Sequence, residues 1–183
     1  MDSPARANRP GGEVFSPPFS KIRMPHPSPS YSPTLRPETP SDQAFLHHLL
    51  EESQRQELAG LDLPPTLLSS MVKTQLRTDQ TAHAAADHRR HIIEVDGQNV
   101  GRLIWRPEPT ALHMVELRLL PARYGRGLGT ALLTDLQRQI ADTGLGLCLL
   151  VAPFNPARRF YLRLDFVEIT MEGPMIAMAW RPK

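Results

Sequence analysis

This chain of 183 residues has a single cysteine, no long apolar run and little net charge. Its single cysteine, Cys148, excludes an internal disulfide framework. No stretch approaches the about 20 consecutive apolar residues that a membrane-spanning helix requires. The charged segment followed by an apolar segment that is typical of a secretion signal is also missing. These absences predict a cytoplasmic protein with one sizeable hydrophobic core.

The small net charge is located at the N-terminus. The formal net charge is +2, residues 1–34 carry four basic and two acidic side chains, and the remainder carries 17 of each sign. Proteins that bind nucleic acid normally present a net basic face. We therefore expect neither nucleic acid nor a membrane as a partner of the folded part.

The same N-terminal segment is rich in proline. Residues 1–34 contain eight of the 19 prolines, with serine and glycine between them. Such a composition buries too little apolar surface to offset the entropy of ordering the chain. We predict a disordered tail over residues 1–33 and a single domain over residues 34–183. A polyproline ligand at Pro25–Pro29 is the functional alternative for the tail.

Periodicity and turn residues predict a mixed α/β domain. A short strand near Thr34 is followed by a helix start at Thr39-Pro40-Ser41-Asp42, with a capping residue, a proline at the first helical position and an acid three residues after the cap. A second helix is expected after Pro65. Asp96-Gly97 predicts a tight hairpin turn between two strands, because these residues tolerate positive φ angles.

The second half of the chain alternates strands and helices. Strands are expected over residues 112–120, 147–153, 166–171 and 175–180, with helices after the first two of them. The last strand is apolar enough to pair with a second copy of the chain, or to be covered within one chain. A homodimer is therefore possible from the sequence.

A glycine-rich stretch, Tyr124-Gly125-Arg126-Gly127-Leu128-Gly129, links the strand over residues 112–120 to a helical pattern. Glycines there allow a tight turn and close approach of several backbone N–H groups to a phosphate at a helix N-terminus. The spacing differs from both the dinucleotide fingerprint and the nucleotide triphosphatase loop. An ordinary strand-to-helix turn is the alternative interpretation.

A second motif follows about thirty residues later. After the apolar strand come Asn155, Ala157, Tyr161 and Phe166. Together with the glycine loop, these residues resemble the GNAT superfamily of acetyl-CoA-dependent N-acetyltransferases, whose signatures are Q/R-x-x-G-x-G/A and an N-x-x-A-x-x-x-Y-x-x-x-G-F-like segment. The resemblance covers roughly residues 34–182.

The chain departs from the family pattern at two positions. Tyr124 stands where the family usually has Gln or Arg, which weakens one side-chain contact while leaving the backbone donors in place. Asp165 replaces the usual Gly before Phe166. Asp tolerates the left-handed conformation better than most residues, so we expect the helix end to form normally.

The resemblance implies a single GNAT-like domain, with a mixed central sheet flanked by helices. It also implies a pair of splayed strands that admits the pantetheine arm of acetyl-CoA, the co-substrate. The residues it assigns to cofactor binding are Leu117, Leu119, Tyr124, Gly125, Arg126, Gly127, Leu128, Gly129, Thr130 and Asn155.

The same resemblance places chemistry on the strand over residues 112–120 and on the second motif. Glu116, directly or through water, is the candidate base for the attacking amine, with His113 as second choice. Tyr161 matches the family's general acid for the departing thiolate. As structural alternatives, Glu116 pairs with Arg118 on one face of the strand, and the Tyr161 ring only packs in the core.

Strict alternation along this strand would put Leu112, Met114, Glu116, Arg118 and Leu120 on one face and the remaining residues, His113 among them, on the other. A bulge, which the family carries in this strand, would shift that register. The position of any bulge decides which side chains share a face.

No metal site is expected from the sequence. His83, His88 and His91 are clustered, but no second cluster or cysteine supports them as ligands. Cys148, within an apolar strand, is interpreted as a small buried hydrophobic residue.

Two functions of different classes are consistent with these patterns. One is an N-acetyltransferase that transfers the acetyl group of acetyl-CoA to a primary amine by direct attack in a ternary complex. The other is a non-catalytic CoA-binding or assembly module on the same fold. The sequence carries no motif that distinguishes a small-molecule amine from a peptide amine as the acceptor.

Overall fold

The structure, a computed structural model, describes residues 33–59, 64–84 and 87–183. The tail predicted over residues 1–33, including the polyproline segment, lies outside the described residues except for Pro33. No helix in the described ranges is long and apolar enough to cross a membrane.

One seven-stranded sheet forms the centre of the domain, and four α-helices accompany it in the described residues. The strands are β1 (Thr34–Pro37), β2 (Arg89–Val95), β3 (Gln98–Glu108), β4 (Ala111–Leu119), β5 (Gly146–Val151), β6 (Val167–Glu172) and β7 (Met175–Trp180). The helices are α1 (Gln43–Glu57), α2 (Pro65–Ala84), α3 (Leu128–Ala141) and α4 (Ala157–Leu162).

The strand order is β1-β2-β3-β4-β5-β7-β6. All neighbours pair antiparallel except β4 and β5, which are parallel and are connected by α3. This mixed sheet confirms the predicted α/β class. β7 lies between β5 and β6, so the final apolar strand is covered within the chain and β6 forms the sheet edge.

The hairpin predicted at Asp96-Gly97 joins β2 and β3. Asp96 has φ 52° and Gly97 has φ 72°. Two successive positive φ angles are the requirement of a type I′ turn, whose twist matches that of the flanking strands.

The predicted helix start at Thr39 is present, with a 3₁₀ turn over Pro40–Asp42 before α1 begins at Gln43. The Thr39 N–H donates to Asp42 Oδ2 at 2.8 Å, and both guanidinium ends of Arg36 donate to the same carboxylate, at 2.8 and 2.6 Å. These donors hold the pKa of the buried Asp42 carboxyl well below its usual range. The Arg36–Asp42 ion pair therefore connects β1 to the start of α1.

The main hydrophobic core lies between the sheet and α3. Helix α3 contributes apolar side chains at helical spacing, and β3, β4, β5 and β7 contribute alternate residues. Tyr161 of α4 and Phe166 belong to the same cluster. The core thus holds the N-terminus of α3 against β4 and β5, where both sequence motifs lie.

Candidate active site

A bulge in β4 decides which of its side chains share a face. Ile104 pairs with Glu116 and the adjacent Trp105 pairs with Met114, so Val115 is the extra residue. Before the bulge Leu112 and Met114 face the core; after it Leu117 and Leu119 do. Strict alternation would have been wrong, and the bulge brings His113 and Glu116 to the same face of the sheet, opposite the core.

The ladder between β4 and β5 stops part of the way along both strands. Its last pair is Met114 with Leu149, although β4 continues to Leu119 and β5 to Val151. Beyond that pair, β4 keeps its register with β3 but has no strand partner on its other edge among the described residues. The two parallel strands are therefore splayed, and a gap opens between their carboxyl ends.

Backbone donors of β4 point into this gap. The Leu120 N–H donates to the carbonyl of Val100 on β3, at 2.8 Å. Because successive peptide groups of a strand point to opposite edges, the N–H groups of Leu119 and Leu117 point away from β3 and towards the gap. Both residues were predicted from the sequence to contact the cofactor, and both lie at the opening.

The glycine loop opens directly into α3. Gly125 has φ 70° and Gly127 has φ 77°, and Gly127 is the residue that immediately precedes the helix. The first helical bond joins the Ala131 N–H to the Gly127 carbonyl, at 2.9 Å. The N–H groups of Leu128, Gly129 and Thr130 therefore have no acceptor within the helix, which makes this end of α3 attractive to an anion.

The two residues flanking the glycines differ in their surroundings. Arg126 is exposed. The Tyr124 ring is about half exposed, and its hydroxyl lies near Ser53 of α1. Partial burial raises the pKa of the Tyr124 hydroxyl, which stays protonated at neutral pH. Tyr124 thus places the glycine loop beside α1, a position that the sequence pattern did not indicate.

Helix α4 packs its aromatic side chains against the start of α3. A Cβ on Gly129 would lie 3.1 Å from the Phe160 ring, so the absence of a side chain permits this contact. At the end of α4, Asp165 has φ 62°, the left-handed conformation expected from its place in the motif. Gln137 of α3 donates to the Leu164 carbonyl at 2.8 Å and holds the same helix end.

Tyr161 is buried in the core between Phe160 and Phe166, with ring centroids at 5.2 and 5.6 Å. Burial raises the pKa of its hydroxyl to about 12. A phenol with such a pKa is protonated at neutral pH and can donate a proton but not accept one. The burial is compatible with either an acid or a packing residue.

Asn155 is exposed and lies between β5 and α4. Its Oδ1 accepts a hydrogen bond from the Ala157 N–H at 2.9 Å, and its carbonyl accepts one from the Arg158 N–H at 3.0 Å. Asn155 therefore supports the start of α4.

Glu116 belongs to a chain of charged side chains on the α1 side of the sheet. Its two carboxylate oxygens lie 3.9 Å from Arg102 Nη1 and 3.7 Å from Arg118 Nη2. Arg102, 4% exposed, donates to Glu38 Oε2 at 2.9 Å. The predicted Glu116–Arg118 pair is present, and Arg102 and Glu38 extend it. Because Glu38, Arg102 and Glu116 are far apart in the sequence, no sequence pattern indicated this network.

His113, the second candidate base, lies further back on β4, next to Cys148 and Glu108. Its Nδ1 is 3.3 Å from Glu108 Oε1 and 3.6 Å from Cys148 Sγ. Burial lowers the pKa of the His113 imidazole and raises the pKa of the Cys148 thiol to about 11. Cys148 is half-buried beside polar groups, so its interpretation as a purely hydrophobic residue was incomplete. Of the histidines clustered in the sequence, His83, His88 and His91, His91 stacks on Trp105 with ring centroids 6.0 Å apart.

Residues 86–168, which contain the bulged strand, the glycine loop and Tyr161, match the family model described as an acetyltransferase (GNAT) domain. No curated protein shows significant sequence similarity to the chain.

Solved structures share the fold over most of the chain. An acetyltransferase from Thermus thermophilus is 25% identical, with a TM-score of 0.62 and coverage of 82% of this chain and 97% of that one. The PaiA N-acetyltransferase from Thermoplasma acidophilum, in complex with coenzyme A, is 18% identical, with a TM-score of 0.61 and coverage of 82% and 99%. The ribosomal-protein-S18-alanine N-acetyltransferase from Escherichia coli is 18% identical, with a TM-score of 0.56 and coverage of 81% and 93%.

Proposed function

We propose that this chain, in which residues 86–168 form a GNAT acetyltransferase domain, is an N-acetyltransferase that transfers the acetyl group of acetyl-CoA to a primary amine. The observation that carries the proposal is the gap between β4 and β5 beyond Met114 and Leu149, next to the glycine-led N-terminus of α3. A gap lined by strand amides and ending at a helix N-terminus suits a long, amide-containing ligand with a pyrophosphate.

The cofactor is held mainly by backbone groups in this proposal. The free N–H groups of Leu128, Gly129 and Thr130 bind the pyrophosphate, and Gly125 and Gly127 let the chain approach it. Tyr124 and Arg126 border this site. Leu117 donates to the pantetheine arm in the gap, and Asn155 donates to the same arm from the opposite side.

Three groups support the transfer itself. Glu116 accepts a proton from the substrate ammonium, directly or through water, because only the free amine attacks the thioester carbon. The Leu119 N–H donates to the thioester oxygen as negative charge develops there. As the carbon–sulfur bond breaks, Tyr161 donates its phenolic proton to the thiolate, so that CoA leaves as a thiol. The nitrogen of the new amide loses its second proton to water, and Tyr161 is reprotonated from water.

The acceptor is a small-molecule or peptide amine. Its entrance lies on the α1 side of the sheet, because Glu116 faces α1 and α2 rather than α3. Arg55 pairs with Glu51 and Glu52 on the surface of α1, so these charges satisfy one another.

A titration of the full chain with acetyl-CoA, and with CoA for comparison, tests the cofactor site. We expect saturable one-to-one binding and, with a panel of primary amines, amine-dependent release of free thiol. Gly127→Val should abolish binding, because a branched side chain is strained at φ 77°. Gly173→Val is the matched control, since Gly173 also has a positive φ, 58°, but lies in the β6–β7 turn.

The outcomes separate the two functional classes. Binding without thiol release for any amine would favour a non-catalytic CoA-binding or assembly module. No binding by a folded chain, or equal binding by the Gly127 variant, would overturn the assignment of the cofactor site.

A further inference from the structure

A cavity of about 360 Å³ lies on the face of the sheet opposite α3, at the start of β4 and β5. Its polar lining includes Arg106, Glu108, His113, Cys148 and Glu172. The proposed acetyl transfer uses none of these five side chains except His113, as the second candidate base. The cavity therefore calls for a separate explanation.

The sheet brings three potential metal ligands together here. His113 and Cys148 are direct partners in the parallel β4–β5 ladder, and both point to the cavity face. Glu108 ends β3 and pairs with Ala111 across the β3–β4 hairpin. Because backbone pairing sets these positions, the cluster is held by the sheet and not by a flexible loop.

One donor atom from each of the three residues lies within 4.8 Å of the other two. His113 Nδ1 lies 3.6 Å from Cys148 Sγ and 3.3 Å from Glu108 Oε1, and Cys148 Sγ lies 4.0 Å from Glu108 Oε2. Tetrahedral zinc, with bonds of about 2.3 Å to sulfur and about 2.0 Å to nitrogen and oxygen, requires donor separations of about 3.3 to 3.6 Å. The His113–Cys148 separation meets this requirement. A single carboxylate oxygen must meet it with both partners, which needs a rotation of the Glu108 carboxylate.

The same geometry argues against a Cys–His–Glu catalytic triad. In a triad the histidine uses one ring nitrogen for the nucleophile and the other for the carboxylate. Here both Cys148 and Glu108 approach Nδ1 of His113. A shared nitrogen cannot relay a proton between them, whereas a cation between the three donors satisfies all of them.

We propose that Glu108, His113 and Cys148 bind a zinc-class divalent cation, with its fourth coordination position open to the cavity. The mixed set of thiolate, imidazole and carboxylate suits zinc or cobalt better than magnesium or calcium, which prefer oxygen ligands alone. Three protein ligands and an open position are the pattern of zinc sites that take an exogenous ligand.

Neighbouring side chains orient one of the ligands and set the net charge of the site. Arg106 Nη2 donates to Glu108 Oε1 at 3.0 Å, which fixes the carboxylate as outer-shell partners of metal ligands do. This contact leaves Oε2, the oxygen that faces Cys148, for the cation. Glu172 adds negative charge to the cavity wall, and Arg106 and Arg181 add positive charge. A bound thiolate makes the total negative and so favours a cation.

The site adjoins the start of the gap, at the Met114–Leu149 pair, and is distant from Leu119. His113 lies six positions before Leu119 on β4, a separation of about 20 Å along an extended strand. Metal binding and acetyl-CoA binding can therefore be tested separately.

Cobalt(II) is the probe for the first experiment, because a thiolate ligand gives it a charge-transfer band in the near ultraviolet. The full chain is stripped with a chelator, freed of chelator and titrated with cobalt chloride. We expect one equivalent to bind with this band and zinc to displace it. Since the chain has one cysteine, the band reports Cys148 alone, and histidine binding elsewhere does not produce it.

Variants separate a three-ligand site from a lone thiol. Cys148→Ser should abolish the band, and His113→Gln and Glu108→Gln should each weaken cobalt binding at least tenfold. His47→Gln, at a half-exposed histidine on α1, is the control and should bind as the unmodified chain does. Circular dichroism establishes that each variant is folded.

A second measurement does not depend on variants. Zinc should slow alkylation of Cys148 by iodoacetamide in the unmodified chain. The proposal is overturned if the folded chain gives no band and no protection. It is also overturned if His113→Gln and Glu108→Gln bind cobalt as tightly as the unmodified chain.

Discussion

Gly101 of β3 lies directly against the end of β4, where it pairs with Leu119. A Cβ on Gly101 would be 2.4 Å from the Arg118 carbonyl oxygen and 2.6 Å from Leu119 Cδ2. One of these two atoms is backbone, so no side-chain rotation relieves the contact. The position of the Leu119 N–H at the opening of the gap therefore depends on the absence of a side chain at Gly101.

The first prediction concerns Gly101→Ala. The added methyl group must push the end of β4 away from β3, which costs about 1–3 kcal/mol of stability and displaces the Leu119 N–H. We expect a lower free energy of unfolding in urea and a loss of acetyl-CoA affinity of at least tenfold. Gly173→Ala, strained at a turn in another part of the sheet, should lower stability without lowering affinity. Unchanged affinity in Gly101→Ala would contradict the placement of the pantetheine site at Leu119.

The second prediction concerns Tyr161→Phe. Because burial raises the pKa of this hydroxyl to about 12, the phenol is protonated throughout the neutral range and serves as an acid. Its loss should lower kcat about 100-fold or more, with KM and acetyl-CoA affinity nearly unchanged. Steady-state kinetics and a cofactor titration measure the two effects. A variant with full kcat would reduce Tyr161 to a packing residue.

The third prediction concerns Glu116→Gln. A glutamine cannot accept the ammonium proton, so kcat at neutral pH should fall about 100-fold. The deficit should shrink as the pH approaches about 10, where solvent itself frees the amine. A rate profile against pH measures this convergence. Glu168→Gln removes a carboxylate that pairs with Arg158 on the opposite face, at 2.5 Å, and serves as the control. A small deficit that does not vary with pH would contradict the role of Glu116 as base.

The fourth prediction concerns the Asp42–Arg36 pair. The pKa of Asp42 is lower in the folded chain than in the unfolded one, chiefly because Arg36 donates to it. Its stabilisation is therefore complete above the ordinary carboxyl pKa of about 3.9 and is lost as the pH falls towards the folded value.

Asp42→Asn should accordingly lower the free energy of unfolding by about 2 kcal/mol at pH 7, and the difference should narrow at pH 3. Urea titrations at both pH values measure it. Asp142→Asn, at the exposed end of α3, should change stability by less than about 0.5 kcal/mol at either pH. A difference that does not depend on pH would show that the charge of Asp42 is not what stabilises the connection.

Local features of the fold were predictable because the responsible residues are adjacent in the sequence. Asp96-Gly97 has the φ angles that its turn requires, and Asp165 takes the left-handed conformation at the end of α4. The loop ending at Gly127 starts α3 as expected. In each case the backbone preference of one or two residues decides the local structure.

The bulge at Val115 could not be located from the sequence, because a bulge depends on the register of the partner strand. Its effect is large: it turns Leu117 and Leu119 towards the core and places Glu116 beside Arg102. The family resemblance indicated that such a bulge exists, but only pairing with β3 determines its position.

The sequence by itself determined the class of the fold, the order of its elements and the glycine-led start of α3, because periodicity and φ preferences act over short stretches of chain. The tertiary structure decided which distant side chains meet. Parallel pairing places His113 against Cys148, and the β3–β4 hairpin brings Glu108 to both. These contacts join residues that are up to 40 positions apart, and strand register, a property of the assembled sheet, sets them.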